Sequence, residues 1–241
     1  MKAPALCFRA KSIGLSRIGG RRPQSLLAAA QHNLREFMPP EHDQSIEADR
    51  THLNEILEGP NQASMLVEKA DQLKQACHNA HKFKRRDYCQ AIEVLISVPA
   101  RSQIDFRSYF TTSLEWIRRT MSLPVLLAVV HMDEEHPHMH VLLSPARDAL
   151  YEGCRPIDKL GLNRLIHAFS KDVAVPYGFR HLEPKMPART RRESAERVLS
   201  SLLQLDLPSR HEWIWPMIDE HVHRDPLPLM ELLSETGRLS M

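Results

Sequence analysis

Residues 131–140 read His-Met-Asp-Glu-Glu-His-Pro-His-Met-His and follow the apolar run Pro-Val-Leu-Leu-Ala-Val-Val. No other ten residues of the chain hold as much metal-binding capacity. His138 and His140 are two apart, so on a strand both rings leave the same face. His131 ends the apolar run, which itself reads as a strand. If the two strands meet through the acidic loop 132–137, three imidazoles converge on one point. Three neutral nitrogens suit a divalent transition metal, and three protein ligands leave a coordination position open for a substrate. An isolated pair of histidines would read as ordinary strand residues. The third histidine, the acid pair and the flanking strands together favour metal binding. Asp133 and Glu134 could orient the imidazoles, and Glu134 could also act as a base or position the reacting group. A solvated loop is the alternative for both acids. His136, on the loop, is expected to be an exposed neighbour rather than a ligand.

A second pair lies a hundred residues earlier, in His32-Asn33-Leu34-Arg35. His32 and Arg35 are three apart and would share one face of a helix. A neutral ring nitrogen is a nucleophile, and an adjacent guanidinium stabilises charge on phosphoryl oxygens. Alone, such a pair is most often a surface or capping histidine. Combined with the three histidines, it reads as half of a phosphoryl-transfer site.

The elements that must carry these residues follow from periodicity. Residues 5–11 alternate as a strand, and Gly14, Gly19, Gly20 and Pro23 make a loop. Ser25 can cap a helix with the body LLAAAQHNLREF. The segment ADRTHLNEIL reads as a short helix stopped by Gly59-Pro60, and 62–83 shows helical spacing. Residues 91–98 form a strand, 105–120 a helix, 124–131 and 138–144 two strands, and 157–174 another helix. After Pro184 the composition shifts, with a charged helix over 189–206 and a Pro- and His-containing stretch holding Trp213 and Trp215. The order predicts an α+β fold with a largely antiparallel sheet. It divides the chain into a domain over 1–184 and a short helical extension over 185–241.

Composition sets bounds. The chain is 42% hydrophobic and 26% charged, ordinary for a globular protein. Its longest apolar run, near 124–130, is too short to span a membrane, and the N-terminus lacks the apolar segment of a signal peptide. Cys7, Cys77, Cys89 and Cys154 form no metal-binding or paired spacing. Reduced thiols in a cytoplasmic protein are the expectation. Net charge is only +2, but arginine outnumbers lysine 23 to 9, which favours a phosphate-bearing partner. Basic residues cluster over 1–35, including Arg21 and Arg22, and again at Lys82, Lys84, Arg85 and Arg86. A third cluster, over 185–197, is diluted by Glu193 and Glu196 and reads as a solvated helix face.

Together the segments AAAQHNLRE, HDQSIEADRTHLNEIL, KRRDYCQAIEVLISV, SLEWI and AVVHMDEEHPHMHVLLSP resemble the plasmid mobilisation/recombination (Mob/Pre) relaxases of the HUH endonuclease group. The resemblance runs over roughly residues 5–182, in the family's order, and its most specific part is HxDExxPHxH followed by a strand and a proline. It implies a central antiparallel sheet with the HxH strand in the middle and helices around it. It implies Mn2+ or Mg2+ held by His131, His138 and His140. It further implies cleavage of one DNA strand at an origin of transfer, single-stranded or hairpin, leaving the protein on the 5′ phosphate. The family's nucleophilic histidine falls on His32, its arginine on Arg35 and its acid on Glu134. Arg21, Arg22, Lys82, Lys84, Arg85 and Arg86 become the expected DNA-binding residues, Arg35 with Arg85 or Arg86 clamping flanking phosphates.

Most HUH enzymes use tyrosine, but Tyr88, Tyr109, Tyr151 and Tyr177 lie in no matching motif and rank below His32. The loop carries Glu135-His136 where relatives have a small residue before the proline. Relatives usually have long C-terminal regions used for dimerisation or partners. For a chain ending at Met241 the resemblance implies that full mobilisation needs other factors or is absent, a homodimer or other mobilisation factors being the partners to expect. Asn54 and Leu57 match a family segment for which helix packing is the plain expectation. Two alternatives share the histidines: a rolling-circle replication initiator, and a non-catalytic, metal-stabilised DNA-binding protein.

Overall fold

Five apolar or alternating runs pair into one sheet: β1 (Cys7–Ile13), β2 (Glu55–Glu58), β3 (Ala91–Ser97), β4 (Val125–His131) and β5 (His138–Leu143). The computed structural model describes residues 7–16, 23–36, 46–83, 88–99, 102–180, 188–205, 214–224 and 226–238. The strand order is β1-β3-β5-β4-β2 and every neighbouring pair is antiparallel. The fold is α+β, and the HxH strand β5 sits in the middle of the sheet.

Strand pleating sorts the side chains onto two faces. Ile92, Val94 and Ile96 of β3, with Met139, Val141 and Leu143 of β5, pack into one core with α3 (Phe106–Met121) and α4 (Lys159–Phe169). On the other face, Leu127, Val129 and Leu142 pack under α1 (Leu26–Asn33) and α2 (Ala63–Gln75), through Leu26, Ala29, Ala30, Leu66 and Ala70. With both faces covered, β4 is buried along its whole length. The helices start where the sequence provides caps. Ser25 accepts from the Ala28 amide, Asp105 from Ser108 and Asp158 from Gly161.

Three expectations are corrected. Residues 48–57 are not one helix: a 3-10 turn, Ala48–Leu53, leads into β2, which pairs with β4. The open edge of β4 offers ladder hydrogen bonds, and Leu57 packs against the core, which together outweigh a weak local helical preference. The first helix ends at Asn33, and Arg35 adopts a left-handed backbone with φ 55°. His32 and Arg35 therefore do not share a helix face. The helix expected over 157–174 ends at Phe169, continues as a wider π turn, Ser170–Ala174, and closes in a 3-10 turn, Val175–Tyr177.

The chain divides into two compact units, Met1–Pro184 and Lys185–Met241. In the second, α5 (Ala188–Gln204), α6 (Trp215–Arg224) and α7 (Leu227–Glu235) enclose a core of Ala195, Val198, Leu202, Val222 and Leu233. The basic residues of α5 are partly neutralised at helical spacing by Arg189–Glu193 and Arg192–Glu196 pairs, all exposed. Among the described residues, no helix is long and apolar enough to cross a membrane.

Candidate functional site

The antiparallel register of β4 and β5 sets His131 directly opposite His138, and the pleat returns His140 to the same face. The three ring centroids are each 5.0 Å from the other two. His131 and His138 are buried and His140 is partly so.

Each ring has one nitrogen tied to a group that only accepts. His131 Nε2 donates to the Asn33 carbonyl at 2.8 Å, His138 Nδ1 to the His136 carbonyl at 2.8 Å, and His140 Nδ1 to Glu93 Oε1 at 2.8 Å. These partners fix the tautomers and leave His131 Nδ1, His138 Nε2 and His140 Nε2 as lone-pair nitrogens. The three histidines bring potential ligand atoms within 4.8 Å of one another, and His131 Nδ1 lies 3.2 Å from His138 Nε2. Converging lone pairs repel unless a cation joins them, so the donor set fits a divalent metal. Burial above all, with the Arg35 guanidinium adding to it, pushes the His131 pKa well down, and burial lowers that of His138. Both rings are therefore neutral, as ligation requires.

Glu93 escaped sequence reasoning. It is a carboxylate at a site-facing position of the buried strand β3, 4% exposed. It takes the His140 proton, accepts weakly from Asn33 Nδ2 at 3.3 Å, and pairs with Lys11 at 2.7 Å. Burial alone would raise its pKa, but the hydrogen bond from His140 and the Lys11 ammonium outweigh it and hold the carboxyl at about 2. One signal was present: a lone acid in Ala-Ile-Glu-Val-Leu-Ile-Ser, too apolar a strand to carry a charge without a partner.

Asn54 also gains a role beyond helix packing. Its side chain accepts from the Met132 amide and donates to Asp133 Oδ2, both at 2.7 Å. Thr51 adds a bond to the same carboxylate and the Glu47 amide caps the Asp133 carbonyl. These bonds strap the loop after β4. Asp133 is fully buried and takes a fork from Arg35, Nε at 3.0 Å and Nη2 at 2.9 Å. Burial opposes ionisation there, but Arg35 and Asn54 hold the carboxyl far below the usual range. Arg35 Nη2 also reaches Glu134 Oε1 at 2.8 Å and His131 Nδ1 at 3.2 Å. Its fork is committed to carboxylates inside the site. Glu134 Oε1 lies 3.7 Å from His138 Nε2, and His131, Asp133 and Glu134 form a second grouping able to hold a cation.

His32 stands on the last turn of α1, its ring centroid 6.3 Å from that of His140. Neither of its ring nitrogens has a hydrogen-bond partner among the described residues. Burial of the ring's inner side lowers its pKa, and Arg35 and His140 add to this. His32, Glu134, His138 and His140 line one cleft of about 550 Å³, with His136, Glu135 and Glu47 also on its walls. His136 is exposed.

The tyrosines are placed elsewhere. Tyr109 is in the core on the opposite face of the sheet, Tyr177 bonds Ser108 and Thr112, Tyr151 donates to the Cys89 carbonyl, and Tyr88 lies under Lys74. Lys82 is exposed on a 3-10 turn, Ala80–Lys82, and does not line the cleft. Arg21, Arg22, Lys84, Arg85 and Arg86 lie outside the described residues.

The family model described as plasmid recombination enzyme (Mob/Pre) matches residues 14–160. A search of curated proteins found no match. Among solved structures, the chain is similar to the MobM relaxase domain (MOBV; Mob/Pre) bound to 22 nucleotides of plasmid pMV158 oriT DNA, Mn-bound at pH 5.5. The TM-score is 0.59 at 20% identity, covering 75% of this chain and 91% of that one. The same domain with a 3′-thiophosphate DNA, Mn-bound at pH 6.8, gives a TM-score of 0.59 at 21% identity, covering 78% and 98%. At such identities the likeness concerns the fold, and it agrees with the five-stranded arrangement.

Proposed function

Since the chain belongs to the plasmid recombination enzyme (Mob/Pre) family, we propose that it is a DNA relaxase, nicking and rejoining one strand at an origin of transfer. The observation that carries this reading is His32, with free ring nitrogens, on the lip of a cleft lined by His138 and His140, whose lone-pair nitrogens converge with that of the buried His131. The DNA target is single-stranded or presented by a hairpin, and the unit Met1–Pro184 carries the chemistry. His131 Nδ1, His138 Nε2 and His140 Nε2 hold Mn2+ or Mg2+, with Glu134 placed to add an oxygen. Such a cation supplies Lewis-acid polarisation of a phosphodiester's non-bridging oxygens.

Each protein group then has a task. Glu93, Asn33 and the His136 carbonyl fix the tautomers of the three rings. Arg35, held by Asp133, positions Glu134. His32, neutral at pH 7, attacks phosphorus in line. The N–P bond forms as the bond to the 3′ oxygen breaks, the departing oxygen takes up a proton as a 3′ hydroxyl, and the His32 ring loses its remaining proton to solvent. The phosphoramidate conserves the bond energy of the phosphodiester, so a returning 3′ hydroxyl can reseal the strand without a nucleotide cofactor. The tyrosine positions argue against the replication-initiator reading that relies on a tyrosine nucleophile.

Relaxation of supercoiled plasmid carrying the cognate origin, with Mn2+ or with chelator, tests the activity. Nicked circles with a protein-linked 5′ end are expected only with metal. His32→Ala should lower adduct formation by at least a thousandfold while leaving DNA binding intact. A 5′-linked adduct on the alanine variant at wild-type yield would sink the assignment.

A further inference from the structure

Beside the histidine cleft lies a second cavity of about 430 Å³, which shares Leu95 and His140 with the first. Phe8, Leu95, Leu162 and Ile166 form its apolar walls, Arg9 and Lys11 stand on its rim, and the Glu93 carboxylate on its lining is taken up by Lys11 and His140. The arrangement is a consequence of register. Arg9, Leu95 and His140 oppose one another across three adjacent strands, β1, β3 and β5. A chain crossing the sheet from the histidines toward the edge strand β1 therefore meets an apolar hollow and then a cation. Arg9 is exposed and has no ion pair among the described residues, and the Lys11 side chain remains 59% exposed although it touches Glu93. Toward β4 and β2 the site is instead closed by the Arg35, Asp133 and Asn54 network.

We propose that this cavity is a subsite for one unpaired nucleobase adjacent to the phosphate at the histidine centre, with Arg9 holding the next phosphate along. The inference rests on the relaxase reading and deepens it. A base splayed from a single strand has an apolar face to bury and needs a pocket beside the backbone path. Apolar walls with a cationic rim meet both demands, and continuity with the cleft sets which base is taken. The α4 residues Leu162 and Ile166 become the determinants of base preference. Neither belongs to the metal centre.

Fluorescence anisotropy of the full chain, at one fixed salt concentration, decides the matter with two probes: single-stranded dT12 and a 12-mer of abasic deoxyribose phosphates. Wild type should bind dT12 about tenfold more tightly than the abasic strand, the scale of one buried base. Leu162→Trp, which fills the cavity, should cut dT12 affinity about tenfold and leave abasic binding unchanged. Ile166→Phe serves as a second filling variant, and thermal melting verifies that each is folded. A folded variant that binds dT12 as wild type does overturns the subsite, because something other than a base then occupies the cavity. Equal wild-type affinity for both probes also overturns it, with the relaxase reading left intact. Failure of wild type to bind either probe overturns the subsite as well, and the relaxase reading is then decided separately by relaxation of plasmid carrying the cognate origin.

Discussion

Glu93 and His32 illustrate how single residues acquire function from what surrounds them. Glu93 is a single carboxylate in an apolar strand, yet it accepts the N–H of His140 and so decides which nitrogen of that ring faces the centre. Carboxylate partners of ligating imidazoles raise ligand basicity, and their loss typically costs about 10–100-fold in metal affinity. Glu93→Gln should weaken Mn2+ binding by roughly tenfold, read by titration calorimetry. Unchanged affinity would mean that Glu93 serves only to pair Lys11. For His32 the sign of the pH dependence follows from its depressed pKa. A lowered value keeps the ring neutral and nucleophilic below the ordinary histidine value of about 6.5. The nicking rate should therefore hold constant as pH falls from 8 to about 6.5, then decline along a limb set by the folded-state value. Single-turnover cleavage measured from pH 5 to 8 checks this, and a limb centred above 6.5 contradicts it.

At the scale of elements, the hairpin of β4 and β5 does most of the positioning. Its period-two pleat was legible because both strands are apolar and bounded by an acidic loop, whereas the pairing that sets His131 opposite His138 came from the fold. The strap from 47 to 54 was not legible. β2 has four residues, and it becomes a strand through its pairing with β4, a tertiary fact absent from its own sequence. Where that strand ends, Gly59 sits at φ 106°, and a Cβ there would stand 2.5 Å from the Leu126 carbonyl oxygen. The neighbour is backbone and cannot swing aside. Gly59→Ala should cost about 2 kcal/mol or more of stability, from strain and contact together. Urea denaturation reads the change as a lower midpoint with the slope preserved, and an unchanged midpoint would show that β2 relaxes freely away from β4.

For the molecule as a whole, the converging lone pairs link metal binding to folding. A ligand that binds only the folded state stabilises it by about 2.7 kcal/mol at a hundredfold excess over its dissociation constant. Mn2+ should therefore raise the melting temperature of the wild-type chain by several degrees, an effect reversed by chelator. His138→Ala should melt at the same temperature with and without Mn2+, and a Mn2+-induced rise equal to wild type would show that the ion binds elsewhere. The measurement belongs to the sheet-bearing unit Met1–Pro184, whose core is separate from that of Lys185–Met241.

The sequence by itself determined the three histidines, the strand pair that carries them, the α+β class and the family. These are properties of spacing and periodicity, which local backbone geometry converts directly into faces and turns. Tertiary structure alone decided that His32 reaches the cleft, that Arg35 leaves the helix to hold Asp133 and Glu134, and that Asn54 and Glu93 support the loop and His140. It also set Arg9 and Leu95 in line with His140. Each of these pairs residues dozens of positions apart, and their meeting depends on strand order, register and the point where α1 ends. Such long-range pairings follow from how the layers pack, which no local pattern encodes.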